Sequence, residues 1–253
     1  MGWPVAWPFV RASTPTVPSV PRPSVVSAIS SVIPSVPRPS VVSAISSVIS
    51  FVARTYGREA GQYDARTGPF EPYRRRIVDL LPIERGDVVL DVGCGTGLCF
   101  PLLQERIGPR GTIVAVDASR QMLDLAAARA AAHGWDNVVL IEASVDEADL
   151  PPVDHALFCA VHDVLQSAPA VDNVLAAVRP GGGVAAGGGK WAPPWALPLN
   201  AGVLALHARY VGDFTGFSRP WALLAERVPD LAVEEVAMGG GYMASGRVPT
   251  HRA

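Results

Sequence analysis

From Val88 onward the apolar positions fall into short β-branched runs separated by stretches of helical period. Val88–Val92 (VVLDV) has the length and composition of a buried strand. Thr112–Val116, Val138–Ile141, Ala156–Ala160 and Val184–Gly187 repeat that texture. Between them Leu98–Ile107, the Ala-rich Arg120–Ala132 and Val171–Val178 carry helical spacing. Upstream, Phe70, Tyr73, Ile77, Leu80 and Leu81 predict a helix over Phe70–Leu81, which Pro82 ends before Gly86-Asp87 turns the chain into the first strand. Arg179–Gly183 reads as a tight turn. Strands alternating with helices at this spacing predict a doubly wound α/β domain, its sheet mostly parallel and covered on both faces.

Beyond Trp191 the pattern shifts to a Pro- and Trp-rich apolar stretch, followed by a helix around Arg219–Glu226. Two strand-like runs, Ala232–Ala237 and Tyr242–Ser245, flank Gly239-Gly240-Gly241 and predict an antiparallel hairpin at the sheet edge. Prolines at 193, 194 and 198 argue against a spanning helix here, and no uninterrupted apolar run of membrane-crossing length occurs elsewhere.

The first fifty residues have a different texture. PSVPRPSVVSAISSVI at 18–33 recurs unchanged at 34–49, a period too short for the usual solenoids and a copy number below the three that a stable array needs. The segment holds 9 of the 24 prolines, 12 serines, three Arg and no acid, a poor composition for a core. We read 1–50 as a disordered low-complexity tail, with a transit peptide or upstream translated sequence as alternatives. Residues 51–253 form the globular domain.

Of the 21 basic residues in the 253-residue chain, Lys190 alone is a lysine, and the net charge of −2 gives no electrostatic footprint for nucleic acid. Three cysteines without a CxxC pair imply neither a disulfide framework nor a zinc site, which fits a reducing, cytoplasmic compartment.

The chemistry sits in VVLDVGCGTG, Val88–Gly97, where a strand runs into a glycine turn that opens a helix. Ligands of open α/β sheets bind outside the carboxyl ends of the strands. A dinucleotide fingerprint needs G-x-G-x-x-G; here Gly93-Cys94-Gly95-Thr96-Gly97 is G-x-G-x-G, and Leu98 occupies the third fingerprint glycine's place. Asp91 would repel a pyrophosphate and favours a cationic, zwitterionic ligand.

This segment resembles motif I of the class I S-adenosylmethionine-dependent methyltransferases. Three further elements agree in order over roughly residues 56–246. Val114-Ala115-Val116-Asp117 resembles the family's second strand, whose terminal acid holds the ribose hydroxyls; Asp117 lies 20 residues past Gly97. Ala143–Pro151 resembles the adenine loop, with Val145 where the family usually has Gly, so that Ser144, Asp146 and Glu147 share candidacy for the adenine contact. Leu175–Gly182 resembles the LxPGG turn. The resemblance implies a Rossmann-like seven-stranded sheet and transfer of a methyl group from S-adenosylmethionine to a small-molecule acceptor. It places Asp91, Gly93, Cys94, Gly95 and Gly97 at the methionyl part, Asp117, Ala118 and Met122 at the ribose side, and Ser144, Val145 and Asp146 at the adenine. Ala160 lies beside the cofactor, and Tyr63 matches a lid residue.

For the acceptor side, His162 is the candidate base, because histidine titrates near neutrality, with Asp163 beside it. Between Gly181 and His207 Lys190 is the sole charge, while Trp191, Trp195, Leu197, Leu199, Val203, Leu204 and Leu206 supply apolar bulk. The region 190–230 therefore reads as an acceptor side suited to an apolar or lipid-like compound and compatible with shallow bilayer contact. Two alternatives stand beside this reading: a nicotinamide-dependent dehydrogenase, against which Leu98 counts, and a non-catalytic S-adenosylmethionine-binding module. No metal is implied, and the sequence does not set an oligomeric state.

Overall fold

The computed structural model describes residue 64, residues 67–208 and residues 210–250. The tail 1–50, its duplication and Tyr63 lie outside the described residues.

A seven-stranded sheet has the order β3-β2-β1-β4-β5-β7-β6. Its strands are β1 (Val88–Val92), β2 (Thr112–Asp117), β3 (Val138–Glu142), β4 (Val153–Cys159), β5 (Val178–Gly189), β6 (Ala232–Val236) and β7 (Gly241–Arg247). The first five run parallel; β7 is antiparallel to both β5 and β6, so the expected edge hairpin is present. Helices α1 (Glu71–Asp79), α2 (Phe100–Ile107), α3 (Arg120–Ala132), α4 (His162–Leu165), α5 (Ala168–Ala177), α6 (Leu197–His207) and α7 (Ala222–Arg227) complete the fold.

The two-residue period of the strands sorts their side chains into two cores. Leu90, Val92, Val114, Val116, Ala156, Phe158, Val184 and Ala186 pack with Val171 and Val174 of α5 and Leu224 of α7. Their neighbours Val89, Ile113, Ala115, Leu157 and Ala185 pack on the other face with Ile77 of α1, Phe100 and Leu103 of α2 and Ala126 of α3. Burial on both faces is why the central strands read as unbroken apolar runs. Serine caps fix the entry of two helices: Ser119 Oγ accepts from the Met122 amide at 3.4 Å, and Ser167 Oγ from the Ala170 amide at 3.3 Å.

Two local expectations are corrected. Arg179–Gly183 is no free turn but a bulge inside β5: Val178 pairs with Val153, and the next pairs are His155 with Gly183. Gly181 adopts φ +77°, and the extra residues find partners in the last strand's extension, Gly181 N–H donating to Val248 O at 2.8 Å and Val248 N–H to Gly182 O at 2.9 Å. Second, the Pro- and Trp-rich stretch contains α6. Pro198 stands in its first turn, where a missing N–H costs nothing, and Asn200 Oδ1 accepts from the Ala192 amide at 2.9 Å to fix the approach. Because α6 is apolar nearly all round, with Leu197, Leu204 and Leu206 exposed, no periodic contrast announced it.

Candidate active site

The strand order reverses between β1 and β4, which makes the carboxyl ends of these strands the natural ligand crevice. The loop leaving β1 takes the left-handed backbone at Gly93, Gly95 and Gly97, with φ of +60°, +55° and +76°. A Cβ on Gly97 would lie 2.5 Å from the Phe100 ring, whereas one on Gly95 would meet nothing within 4 Å. Gly97 thus keeps the loop tight against α2, and Gly95 presents bare backbone to open space.

The loop is tied on three sides. Asp117 accepts from the Gly95 amide at 2.9 Å and from the Ser119 amide at 2.8 Å. Cys94 N–H donates to Val116 O at 3.0 Å, and the buried Cys94 thiol lies 3.7 Å from Gly95 O. Thr96 Oγ1 donates to Asp64 at 2.6 Å, Arg129 Nε donates to Thr96 O at 2.8 Å, and Arg129 is also paired with Asp64. Sequence reasoning missed Asp64, Thr96 and Arg129. Their spacing carries no motif, and only folding brings α3 against the loop.

Asp91 ends β1 with 1% of its surface exposed, and its Oδ2 has no hydrogen-bond partner. Burial, reinforced by the nearby Asp117 charge, pushes its carboxyl up to about 8. Burial also raises Asp117, opposed by the two amides it accepts. A buried acceptor oxygen without a donor, at the mouth of a loop whose central glycine faces open space, fits a ligand that brings an ammonium group. A pyrophosphate would worsen the repulsion.

The other expected residues are placed unevenly around this crevice. Ala118 is exposed after β2, but the Met122 side chain is buried beneath it in α3. In the loop after β3, Ser144 Oγ donates to the exposed Asp146. Val145 turns its side chain into the core and offers only backbone, its carbonyl accepting from Asn173 at 2.8 Å. Ala160, just past β4, is held at φ +59° by its amide's bond to Gly187 O at 2.8 Å. A non-glycine residue in that region marks a strained site.

On the acceptor side His162 is 9% exposed at the start of α4. Its Nε2 lies 3.2 Å from Thr215 O, an acceptor, so Nε2 carries the proton and Nδ1 the lone pair; Nδ1 is buried without a partner. Burial holds the imidazole below its ordinary value, hence neutral at pH 7. Asp163 is lifted by burial and by Asp213 to about 6. Phe217 packs edge-on against both His162, centroids 4.9 Å apart, and His207 at 5.4 Å, and it contacts Trp191 and Phe214. The hydrogen bond from His207 Nδ1–H to Val203 O at 2.8 Å and this aromatic cluster were invisible in the sequence, since they depend on α6. Lys190, the sole charge of the apolar stretch, does not face the crevice as a free cation. The residue is buried, and its ammonium is spent on Trp191 O at 2.8 Å, Gly239 O at 3.1 Å and Glu235 at 3.1 Å.

Comparison with known proteins finds methyltransferases. The model of the family described as "Methyltransferase domain" matches residues 89–182. Nocamycin O-methyltransferase of Saccharothrix syringae is 44% identical over 85 residues, 33% of this chain and 30% of that one. Aklanonic acid methyltransferase of Streptomyces sp. (strain C5) is 28% identical over 116 residues, 45% of this chain and 52% of that one. The matches thus span about a third to a half of these relatives' lengths. Among solved structures, geranyl diphosphate C-methyltransferase from Streptomyces coelicolor A3(2), in complex with S-adenosyl-L-homocysteine, shares the fold. Its TM-score is 0.55 at 14% identity over 70% of this chain and 75% of that one.

Proposed function

Since the chain carries a methyltransferase domain of the class I S-adenosylmethionine-dependent family, we propose that it transfers a methyl group from S-adenosylmethionine to a small, apolar acceptor. The observation that carries the reading is the unpartnered, buried Asp91 oxygen beside the open glycine loop at the strand-order switch. The nicotinamide alternative finds no support in this arrangement, which offers a pyrophosphate an acidic lining and no free cation among the described residues.

In this reading Asp91 receives the ligand's ammonium, and the backbone of Gly93, Cys94, Gly95 and Gly97 lines its methionyl part. Asp117, already oriented by Gly95 and Ser119, accepts from the ribose hydroxyls with its remaining lone pairs. Ala118 and Met122 belong to the ribose side, the latter by its backbone. Ser144, Val145 and Asp146 serve the adenine, Ala160 the floor beside β4, and Tyr63 the lid. The cofactor, when bound, supplies a methyl on a positively charged sulfur. His162 Nδ1 takes the acceptor's proton, its tautomer set by Thr215 O. Asp163 is the second proton-handling group. Alignment supplies the rest of the rate.

Nocamycin and aklanonic acid, for which two relatives are named, support a small-molecule acceptor. The exposed Trp195 and Leu197 on the 190–230 region support an apolar one, with peripheral bilayer contact for the most apolar acceptors, and the free cysteines fit a cytoplasmic setting. No helix among the described residues is long and apolar enough to cross a membrane.

Calorimetric titration with S-adenosylhomocysteine and with NADH tests the cofactor. Binding of the first alone is expected; binding of NADH alone overturns the proposal. Labelled-methyl transfer to a panel of phenols, amines and lipids then separates an enzyme from a binding module.

A further inference from the structure

Among the described residues, the groups around Asp91 leave its charge without compensation. Asp117, from β2, accepts the Gly95 and Ser119 amides, one on each carboxylate oxygen, and its charge repels that of Asp91, whose Oδ2 has no hydrogen-bond partner. Cys94 in the loop, Cys99 before α2 and Cys159 at the end of β4 pack in or against the same core; burial pushes the Cys94 thiol up, and the hydrogen bond with Cys159, followed by burial, pushes up that of Cys99, so both stay neutral. Among the described residues the cations nearby are occupied. Arg74 of α1, whose field reaches Cys99, donates to Glu71 and to Thr67 O, and Arg129 of α3 is tied to Asp64 and Thr96 O.

We propose that Asp91 trades its proton for the ligand's ammonium: it is a neutral carboxylic acid while no amine is bound, and it ionises when an α-ammonium group settles against it. The inference rests on the reading that this loop binds the methionyl part of the cofactor. The exchange balances simply. The O–H bond of Asp91 breaks, the electron pair stays on the carboxylate, and one proton leaves to solvent as the ion pair forms. Burial and the Asp117 charge set the free-state carboxyl at about 8, so at neutral pH most molecules have a proton to release. Affinity for an amine-bearing ligand therefore rises with pH, by about tenfold per unit below that value, and falls again once the ligand's own ammonium gives up its proton. Asp91 thereby discriminates against ligands that lack the amine, since these leave it protonated and gain no ion pair.

The experiment is calorimetric titration of the full chain with S-adenosylhomocysteine at pH 7 in buffers of different ionisation enthalpy. The apparent enthalpy should follow the buffer's with a slope close to one released proton in the wild type and close to zero in Asp91→Asn. 5′-Methylthioadenosine, which lacks the amine, should bind the wild type with zero slope, and this arm needs no variant to fold. Wild-type binding without buffer dependence overturns the proposal while leaving the cofactor reading intact. A slope that persists in Asp91→Asn, or equal slopes for the two ligands, assigns the proton elsewhere and also overturns it. No binding of either ligand in any buffer removes the cofactor reading, and the proposal with it.

Discussion

The Thr96 hydroxyl donates to the carboxylate of Asp64, 32 residues earlier, at 2.6 Å, and so anchors the middle of the glycine loop to the segment that precedes the domain's first helix. Asp64→Ala removes this bond and the Arg129 pairing together, but Arg129 retains Thr96 O. A hydrogen bond to a charged group is worth roughly 1.5–3 kcal/mol, part of which solvent replaces at this half-exposed position. We expect S-adenosylhomocysteine affinity to fall about tenfold with a melting temperature shift of only a few degrees. Calorimetry and a thermal melt measure both.

The loop glycines should separate binding from folding. Gly97→Ala drives a methyl into the ring of the fully buried Phe100 at 2.5 Å, on a left-handed backbone, and is expected to lower stability by about 2 kcal/mol or more. Gly95→Ala meets open space, so its cost to folding is the left-handed backbone alone, about 1 kcal/mol, and its main effect falls on cofactor affinity. Denaturant melts beside binding titrations distinguish the two. Equal effects on both properties in both variants would contradict the assignment of open space to the ligand.

His162→Gln should keep the packing on Phe217 while losing the basic nitrogen. Turnover is expected to drop by roughly 10²–10⁴-fold with cofactor binding unchanged. In the wild type, kcat/KM should rise as pH rises through the His162 titration, which burial places below the ordinary 6.5. A variant of full activity would make this histidine a packing residue.

At the opposite end of the sheet His155 is a structural clamp. Gly183 N–H donates to its Nδ1 at 2.9 Å, and its Nε2–H donates to Asp87 at 3.0 Å. Desolvation, which outweighs the attraction of Asp87, depresses the folded-state value. The folded chain then binds fewer protons at this site than the unfolded one. The contribution is complete above the unfolded value near 6.5 and is lost as pH falls toward the folded value. Denaturant midpoints should decline over that range, and the decline should flatten in His155→Gln, which also loses about 1–3 kcal/mol for the unsatisfied partners.

The matched family domain begins at residue 89, well after the duplicated segment. Deleting residues 1–50 is therefore expected to leave S-adenosylhomocysteine affinity and methyl transfer unchanged, as measured by the same titration and labelled-methyl assay.

Val88–Val92 and Arg120–Ala132 were legible to the residue because each is bounded by residues of clear local meaning, Gly86-Asp87 before the strand and Ser119 before the helix. The glycine loop was legible for the same reason. Helix α6 was not, since contrast between faces is what periodicity reads and α6 has little. The β5 bulge looked like a turn because Gly181 does turn; its pairing to Val248 is a contact 67 residues away that no local pattern holds. The partner of Lys190 was hidden for a related reason: a lone charge in an apolar stretch can face a ligand or be buried with a distant partner, and Glu235 lies 45 residues away. Asp91 stood out by its spacing, but its missing donor appeared only once β1 was enclosed by β2 and β4.

The sheet order has a consequence for synthesis. β7 follows β6 in the chain yet lies between β6 and β5, with seven residue pairs on the β5 side. A nascent chain emerging from the ribosome therefore exposes the long, glycine-rich flank of β5 until residues 241–247 have cleared the exit tunnel. Throughout that interval the unpaired flank is open to another chain, and a translational pause just upstream of β7 would prolong the risk of misassembly.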